Sequence, residues 1–285
     1  MTPGPVKVGP VKVGITLPSF RDDPEIPIAV AVAAEAAGVD GVFAYDHLFR
    51  VAADGTNRPA LECTTLLGAV AAETSRVALG TLVARATLRP PATLGVALDT
   101  VQRVSGGRLL AAIGAGDAES RVENESYGLG FGTQAERVAA LDATVTELAD
   151  RGYPVWVGGS AVHIGAVAAR TDGWNRWGAD PGRFASEAEQ VRGLASAAGR
   201  DPGELTLSWG GLAVLDSTDE RADAKAERLG AGAGTLVGGP QRLAEGLRTY
   251  ADLGAEWVII GPIDSSDPEN ASRLGELVVP LLRGL

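Results

Sequence analysis

Short apolar runs alternate with amphipathic stretches eight times along this chain, which predicts a single (β/α)8 TIM barrel of the α/β class. Three observations carry that expectation. The apolar runs are nearly continuous, as strands buried on both faces of a parallel sheet must be. No charged or low-complexity linker divides the 285 residues, a length at which such barrels remain one domain. Glycine makes up 38 residues, roughly twice its usual share, in keeping with many tight strand–helix turns. A doubly wound open sheet is the runner-up, but it would divide a chain this long into two regions, and no boundary is visible.

The N-terminus carries a tandem pentapeptide, Pro5-Val-Lys-Val-Gly9 and Pro10-Val-Lys-Val-Gly14. Only the second copy runs on into Ile15-Thr-Leu17, so it is the first strand. Residues 1–9 are expected to be a flexible arm, and 10–285 the barrel domain. The strands read as Val11–Leu17, Gly41–Asp46, Val77–Ala84, Arg108–Gly114, Pro154–Gly158, Gly173–Trp177, Leu205–Leu215 and Trp257–Gly261. Helical patterns fill the gaps at Ile26–Ala37, Leu61–Thr74, Thr93–Val104, Ala135–Ala149, Val162–Arg170, Ser186–Ala198, Glu220–Leu229 and Gln241–Leu253. A last helix, Pro268–Leu282, closes the chain. Aromatics are only 5% of a chain that is 45% hydrophobic, so a core built mainly of Ala, Val and Leu is expected.

Composition excludes several chemistries. A net charge of −11 disfavours a surface that attracts nucleic acid or anionic membrane. The single cysteine, Cys63, rules out an internal disulfide framework and a cysteine-built metal cluster. Lysine occurs only at positions 7, 12 and 225, none at a strand end, which argues against a Schiff-base enzyme. With His47 and His163 the only histidines, a zinc site of several imidazoles is not available, and no metal is expected. No run approaches the roughly 18 apolar residues of a membrane helix. Lys7 and Lys12 interrupt any signal-peptide core, so a cytoplasmic protein is expected.

Active sites in barrels of this kind sit at the C-terminal ends of the strands, and those ends are where chemistry should be sought. Strand two ends in Tyr45-Asp46-His47, a carboxylate beside a group that titrates near neutrality. Strand three leads to Arg85 and Arg89, either an anion-binding pair or solvated surface arginines. Strand four ends in Gly114-Ala115-Gly116-Asp117; the third glycine of a dinucleotide fingerprint is missing, so this reads as close backbone approach to a ligand followed by an acid candidate. A long glycine-containing segment to Gly132 follows and reads as a mobile binding loop. Strand five delivers Gly158-Gly159-Ser160 into a helix whose free amides suit a phosphate. His163, one turn in, is expected to pack or to face solvent. Trp174 and Trp177 on strand six divide between packing and walling a planar ligand. Asp264 reads as a cap or a solvated residue.

Taken together, the constellation resembles the bacterial luciferase-like superfamily, especially its flavin- and deazaflavin-dependent oxidoreductases. The resemblance spans nearly the whole chain: Tyr45-Asp-His47, Gly80-Thr81, Ser105-Gly-Gly-Arg-Leu109 before Gly114-Ala-Gly116, Val157-Gly-Gly-Ser160, Asp172-Gly-Trp-Asn175, Gly234-Thr-Leu-Val-Gly238 and Gly261-Pro262. It implies that Asp46 contacts the cofactor ring and that His47 is the active-site base. It places a non-proline cis peptide at Leu82-Val83, under the ring. Ala115, Gly116, Gly158, Gly159, Ala161 and Val162 match cofactor-binding backbone, and Asp117 stands where sugar-phosphate dehydrogenases of the family carry an acidic glutamate. Arg85 falls at a cofactor contact normally held by a smaller residue. Those dehydrogenases also use lysines beyond strand six, where this chain has Arg176-Trp177, which argues against glucose 6-phosphate as substrate. The connection Asp150-Arg-Gly-Tyr153 is shorter than in relatives, on the face away from the site.

The function these residues imply is a coenzyme F420-dependent oxidoreductase that moves hydride between the deazaflavin and a small organic substrate. His47 would handle the proton, with Asp117 as a second candidate. Arg85, Arg89 and Arg121 are possible partners for a polyglutamyl tail. Two alternatives stand beside it: an FMN-dependent monooxygenase, and a flavin-binding barrel without turnover. The resemblance also implies a homodimer.

Overall fold

In the computed structural model, which describes residues 9–51 and 55–284, eight parallel strands close on themselves. They are β1 (Lys12–Thr16), β2 (Gly41–Ala44), β3 (Ala78–Thr81), β4 (Leu109–Gly114), β5 (Val155–Gly158), β6 (Gly173–Trp177), β7 (Thr206–Leu215) and β8 (Trp257–Pro262). Each pairs with the next, and closure comes from β8 on β1, with Val13 opposite Val258 and Ile15 opposite Ile260. The predicted barrel is therefore the observed one. The expected arm lies mostly outside the described residues, which begin at Gly9.

Helices cover the outside, among them α1 (Glu25–Ala37), α2 (Cys63–Glu73) and α3 (Pro91–Val104). Pro91 opens α3, as its position before the apolar stripe suggests. The chain continues through α4 (Ser120–Ser126), α5 (Gln134–Leu148), α6 (Ala161–Ala168) and α7 (Pro181–Ala197). Thr133 and Glu136 form a reciprocal capping box at the start of α5. The final helix is not continuous: Pro268–Arg273 passes into a π-helical turn, Leu274–Val278, before Val279–Arg283. Gly275 sits there against the end of α1, where an added Cβ would lie 2.4 Å from the Ala37 carbonyl oxygen. That close approach shifts the helix register, which the sequence pattern could not register.

The core has two layers. Between barrel and helices, Val, Leu, Ile and Ala dominate, as composition predicts. Inside the barrel the filling is aromatic instead: Phe43, Trp156 and Trp257 pack together with Ile259 and Leu82. Glycines make the room for them. A Cβ on Gly80 would stand 2.2 Å from the Phe43 ring, and one on Gly173 would stand 2.5 Å from Trp156. The few aromatics thus close the lower barrel and leave its upper end open.

Candidate active site

The upper end opens on a cavity of about 570 Å³, lined from β2 round to β6 by strand ends and the loops that leave them. Its floor is the segment after β3. The strand breaks at Leu82-Val83, joined by a cis peptide bond, and resumes for two residues at Ala84–Arg85, which pair with Ile113 and Gly114. The Val83 side chain lies over the ends of β4 and β5, where only glycine fits. A Cβ on Gly114 would come within 2.3 Å of Val83, and one on Gly158 within 2.4 Å. Gly116 and Gly159 have φ of +74° and +143°, conformations that side chains avoid.

At one end stands His47, its side chain 31% exposed. Its Nδ1 lies 2.6 Å from Glu123 Oε1. Glu123 comes from α4, the stretch expected to be a mobile loop; it is instead an ordered helix whose Glu123 and Asn124 are buried. The other oxygen of Glu123 accepts from the Leu48 amide at 2.8 Å and from Arg85 Nη2 at 3.0 Å. Burial pushes this carboxyl up, but the hydrogen bonds from His47 and Leu48 and the charges of His47 and Arg85 outweigh it and hold it below the ordinary glutamate value. An ionised carboxylate only accepts, so His47 Nδ1 carries a proton, and in the neutral imidazole Nε2 is then the lone-pair acceptor. The neighbouring ring of Tyr45 stays a neutral phenol, burial pushing it up to about 12.

Asp46 is 3% exposed and bound on both oxygens by Arg89, at 2.7 and 2.9 Å, with the Arg85 amide at 2.8 Å. Arg89 also pairs with Glu62. Arg85 is 3% exposed, with Nε on the Asp46 carbonyl and Nη1 on Asn124. Both arginines are paired with carboxylates around the His47 loop, and Arg85 also lines the cavity. Arg121 pairs with Glu125 and covers the Phe131 ring. Asp117 is exposed and caps α4, accepting from both the amide and the hydroxyl of Ser120 at 2.9 Å. It also lines the cavity, and Glu123 is the carboxylate that touches His47.

The opposite end is the turn into α6. Gly158, Gly159 and Ser160 line the cavity, but Ala161 and Val162 do not. The Ala161 amide is given to Glu187 at 2.7 Å, and the Val162 side chain is 68% exposed. Those two side chains therefore leave the expected cofactor segment. Ser160 occupies the N-cap position without a side-chain capping bond, so its hydroxyl is free for a ligand. Across from it α5 contributes Gln134 and Arg137, neither of which the sequence singled out. Arg137 has no carboxylate partner among the described residues; its Nη1 donates to the Gly132 carbonyl, and its buried Nε has no partner at all. His163 is exposed, one of the two expected outcomes, and it also lines this end.

Trp174 is fully buried, its indole donating to the Gly159 carbonyl, whereas Trp177 lines the cavity. Asp264 lies outside the cavity and pairs with Lys225, which is 6% exposed rather than solvated. Among the described residues no group of side chains could hold a metal ion.

Residues 11–148 and 141–235 match the model of the luciferase-like monooxygenase family. The chain belongs to that family. Among curated relatives, the F420-dependent glucose-6-phosphate dehydrogenase of Nakamurella multipartita is 34% identical over 150 residues, 52% of this chain and 42% of that one. The match therefore spans less than half of that relative. The enzyme of the same name from Beutenbergia cavernae is 25% identical over 90% of this chain and 93% of its own. Among solved structures, an F420-dependent secondary alcohol dehydrogenase superposes with a TM-score of 0.83 at 15% identity, covering 96% of this chain and all of that one. A monooxygenase from Streptomyces bottropensis gives 0.76 at 17%, covering 94% and 99%. At these identities the structural likeness establishes the luciferase-like fold.

Proposed function

We propose that this luciferase-like protein is a coenzyme F420-dependent oxidoreductase that transfers hydride between the deazaflavin and a small organic substrate. The observation that carries the reading is the His47–Glu123 pair in a cavity that is also lined by Arg137, whose guanidinium lies over Phe131 and has no carboxylate partner among the described residues. The cavity volume suits a flat ring system, and the Arg137 guanidinium and the free Ser160 hydroxyl, which line the same cavity, suit a phosphate. The residues present therefore fit the group. When bound, the deazaflavin supplies a two-electron hydride acceptor or donor.

The chain's own residues do the rest. Glu123 fixes the imidazole so that Nε2 accepts a proton from, or returns it to, the substrate oxygen. Val83 and the glycines beneath it give the ring a floor. Ser160, Gly159 and Arg137, which line the cavity at the start of α6, would hold the phosphate. FMN, which also has a ring and a phosphate, is the alternative cofactor, and curated relatives named for F420 favour the deazaflavin.

Titration of the purified protein with each cofactor, followed by tryptophan fluorescence, tests this reading because Trp177 lines the cavity. Saturable quenching by F420 is expected, with Arg137→Gln weakening it about tenfold, the scale of one charge-assisted hydrogen bond. Tight FMN binding with no response to F420 would overturn the proposal.

A further inference from the structure

Resting on the deazaflavin reading of the cavity, we infer that Arg50 and Arg58, with Arg21 beside them, form an anion-binding site at the barrel mouth. The substrate carries a carboxylate or phosphate group that is held there while its reacting end reaches His47. The site is built on a short hairpin that follows closely on His47, Phe49–Val51 paired antiparallel with Asn57–Pro59. Both sides of its base are fixed. The Leu48 amide donates to Glu123, the Leu61 amide donates to the Ser19 carbonyl at 2.8 Å, and the Phe49 ring stacks on Tyr127. Arg50 stands directly opposite Arg58, and directly opposed residues of an antiparallel pair share a face. Arg50 shows which face this is, because its guanidinium lies over the Phe20 ring, 5.8 Å from the centroid.

Arg21 comes to the same place from the loop after β1. Its Nη1 donates to the Phe20 carbonyl and its Nε to Ser266. Like charges directly opposed across a hairpin are destabilising, and nothing beside this pair offsets the repulsion. Among the described residues no carboxylate pairs with Arg21, Arg50 or Arg58, although Asp22 and Asp23 follow Arg21 in sequence. Asp23 instead accepts from the Glu25 amide at the start of α1. Elsewhere round the barrel mouth Arg85, Arg89 and Arg176 are each paired with a carboxylate. Unmatched guanidiniums gathered at one place, in a chain of net charge −11, suit an anion supplied from outside, and their planar forks fit carboxylate and phosphate.

These arginines do not line the cavity; the Phe20 ring connects them to it. That ring lies 5.5 Å from the His47 ring and 6.4 Å from the Tyr45 ring, and His47 and Tyr45 both line the cavity. The Arg50 charge is felt there as well: burial raises the Tyr45 phenol, while its bond to Thr16 and the Arg50 charge pull against that rise. One aromatic ring thus links guanidinium to imidazole, so the anionic group of the substrate stands about a ring's length from its reacting carbon. Glu123, behind His47, is buried and paired with Arg85, which offsets its repulsion of an anion at the rim. The cofactor phosphate is assigned to Ser160, Gly159 and Arg137, which line the cavity, so the anion at the rim belongs to the substrate.

The test titrates inorganic phosphate into the cofactor-free protein at low ionic strength, followed by calorimetry and by thermal unfolding. Saturable binding and a rise in Tm are expected. Arg50→Gln should weaken phosphate about tenfold, the scale of one charge-assisted hydrogen bond, and leave F420 affinity unchanged. Arg58→Gln relieves the opposed charges, so its Tm without phosphate should be no lower than that of wild type, while its rise with phosphate should shrink. The link to the cavity is read with 4-formylbenzoate, whose carboxylate and carbonyl carbon are one ring apart. It should quench Trp177 fluorescence, isolated by Trp177→Phe, at lower concentration than benzaldehyde, and Arg50→Gln should remove the difference. No saturable phosphate binding, binding unchanged in Arg50→Gln, or equal quenching by the two aldehydes would overturn the inference. So would an Arg50→Gln variant that loses F420 as strongly as phosphate, since the rim would then serve the cofactor. Absence of F420 binding by the wild type would instead overturn the reading on which it rests.

Discussion

Replacing Glu123 with glutamine should invert the tautomer of His47. In the native site Oε1 accepts from His47 Nδ1, while Oε2 accepts from both the Leu48 amide and Arg85. Glutamine has one oxygen and one NH2 group, so it can satisfy only one of these two sides. Placing its oxygen where Oε2 was keeps two donors bonded, one of them the buried Arg85 guanidinium. The NH2 group then faces Nδ1, which must accept, and the proton moves to Nε2. The opposite placement leaves two buried donors without an acceptor and costs about 1–3 kcal/mol more. That difference corresponds to a ratio of about 5- to 150-fold between the two placements. With only two histidines in the chain, ¹⁵N-imidazole NMR resolves His47 from His163 directly, and His47→Ala assigns it. The native spectrum should show Nδ1–H and the variant Nε2–H. Proton acceptance at Nε2 should fall with it, lowering kcat/KM for substrate oxidation about 5- to 150-fold while F420 affinity stays within about twofold. An Nδ1–H signal that persists in the variant would refute the proposed division of donors.

The floor and the barrel frame give further expectations. Gly158→Ala would place a methyl 2.4 Å from Val83 Cγ1, against an ordinary carbon–carbon separation of about 3.5–4.0 Å. Val83 is β-branched and stiff, so overpacking should cost about 1–3 kcal/mol, read as a lower urea midpoint, and F420 should bind more weakly. Glu35 accepts from the amides of Ser75, Arg76 and Val77; burial pushes its carboxyl up, but these bonds outweigh that and hold it at about 2. Because the folded value is depressed, the contribution is full above the ordinary glutamate range and fades as pH falls toward 2. The gap in urea midpoint between wild type and Glu35→Gln should therefore be constant above about pH 5 and close on acidification. A gap that widened toward low pH would contradict the clamp.

How far the sequence spoke depended on the range of the interaction. The eight strands and their order were legible because a buried parallel strand must be apolar along its length, whatever surrounds it. The Tyr45-Asp46-His47 end and the Gly158-Gly159-Ser160 turn were legible from their place at strand termini. Glu123 was not, since its partner lies 76 positions away and the apolar pattern that marks a helix is absent from Ser120–Ser126. Arg137 was equally silent: on sequence it is one of many arginines, and only the missing partner of its Nε distinguishes it. Arg85 and Arg89, read on sequence as an anion-binding pair or as solvated surface arginines, are each paired with a carboxylate distant in sequence, which the sequence does not announce.

That sequestration bears on a tension in the chain's composition. A protein of net charge −11 is proposed to bind a cofactor that is itself a polyanion. At the His47 end three carboxylates, Asp46, Glu123 and Glu62, face two arginines, Arg85 and Arg89, so both arginines are committed and one negative charge is left over. Elsewhere the one Glu187 carboxylate is shared between Arg176 and Arg183, and Arg137, which lines the cavity, has no carboxylate partner among the described residues. The cavity is therefore polarised along its length rather than uniformly attractive. A ligand whose ring is neutral and whose charge lies at one end meets one favourable orientation, with the charge at Arg137 and the ring over Val83 toward His47. Reversing it would bring a phosphate against ionised Glu123. The field that orients the cofactor thus comes from how few arginines remain unpaired, and the carboxylates that make the net charge so negative are the groups that silence the others.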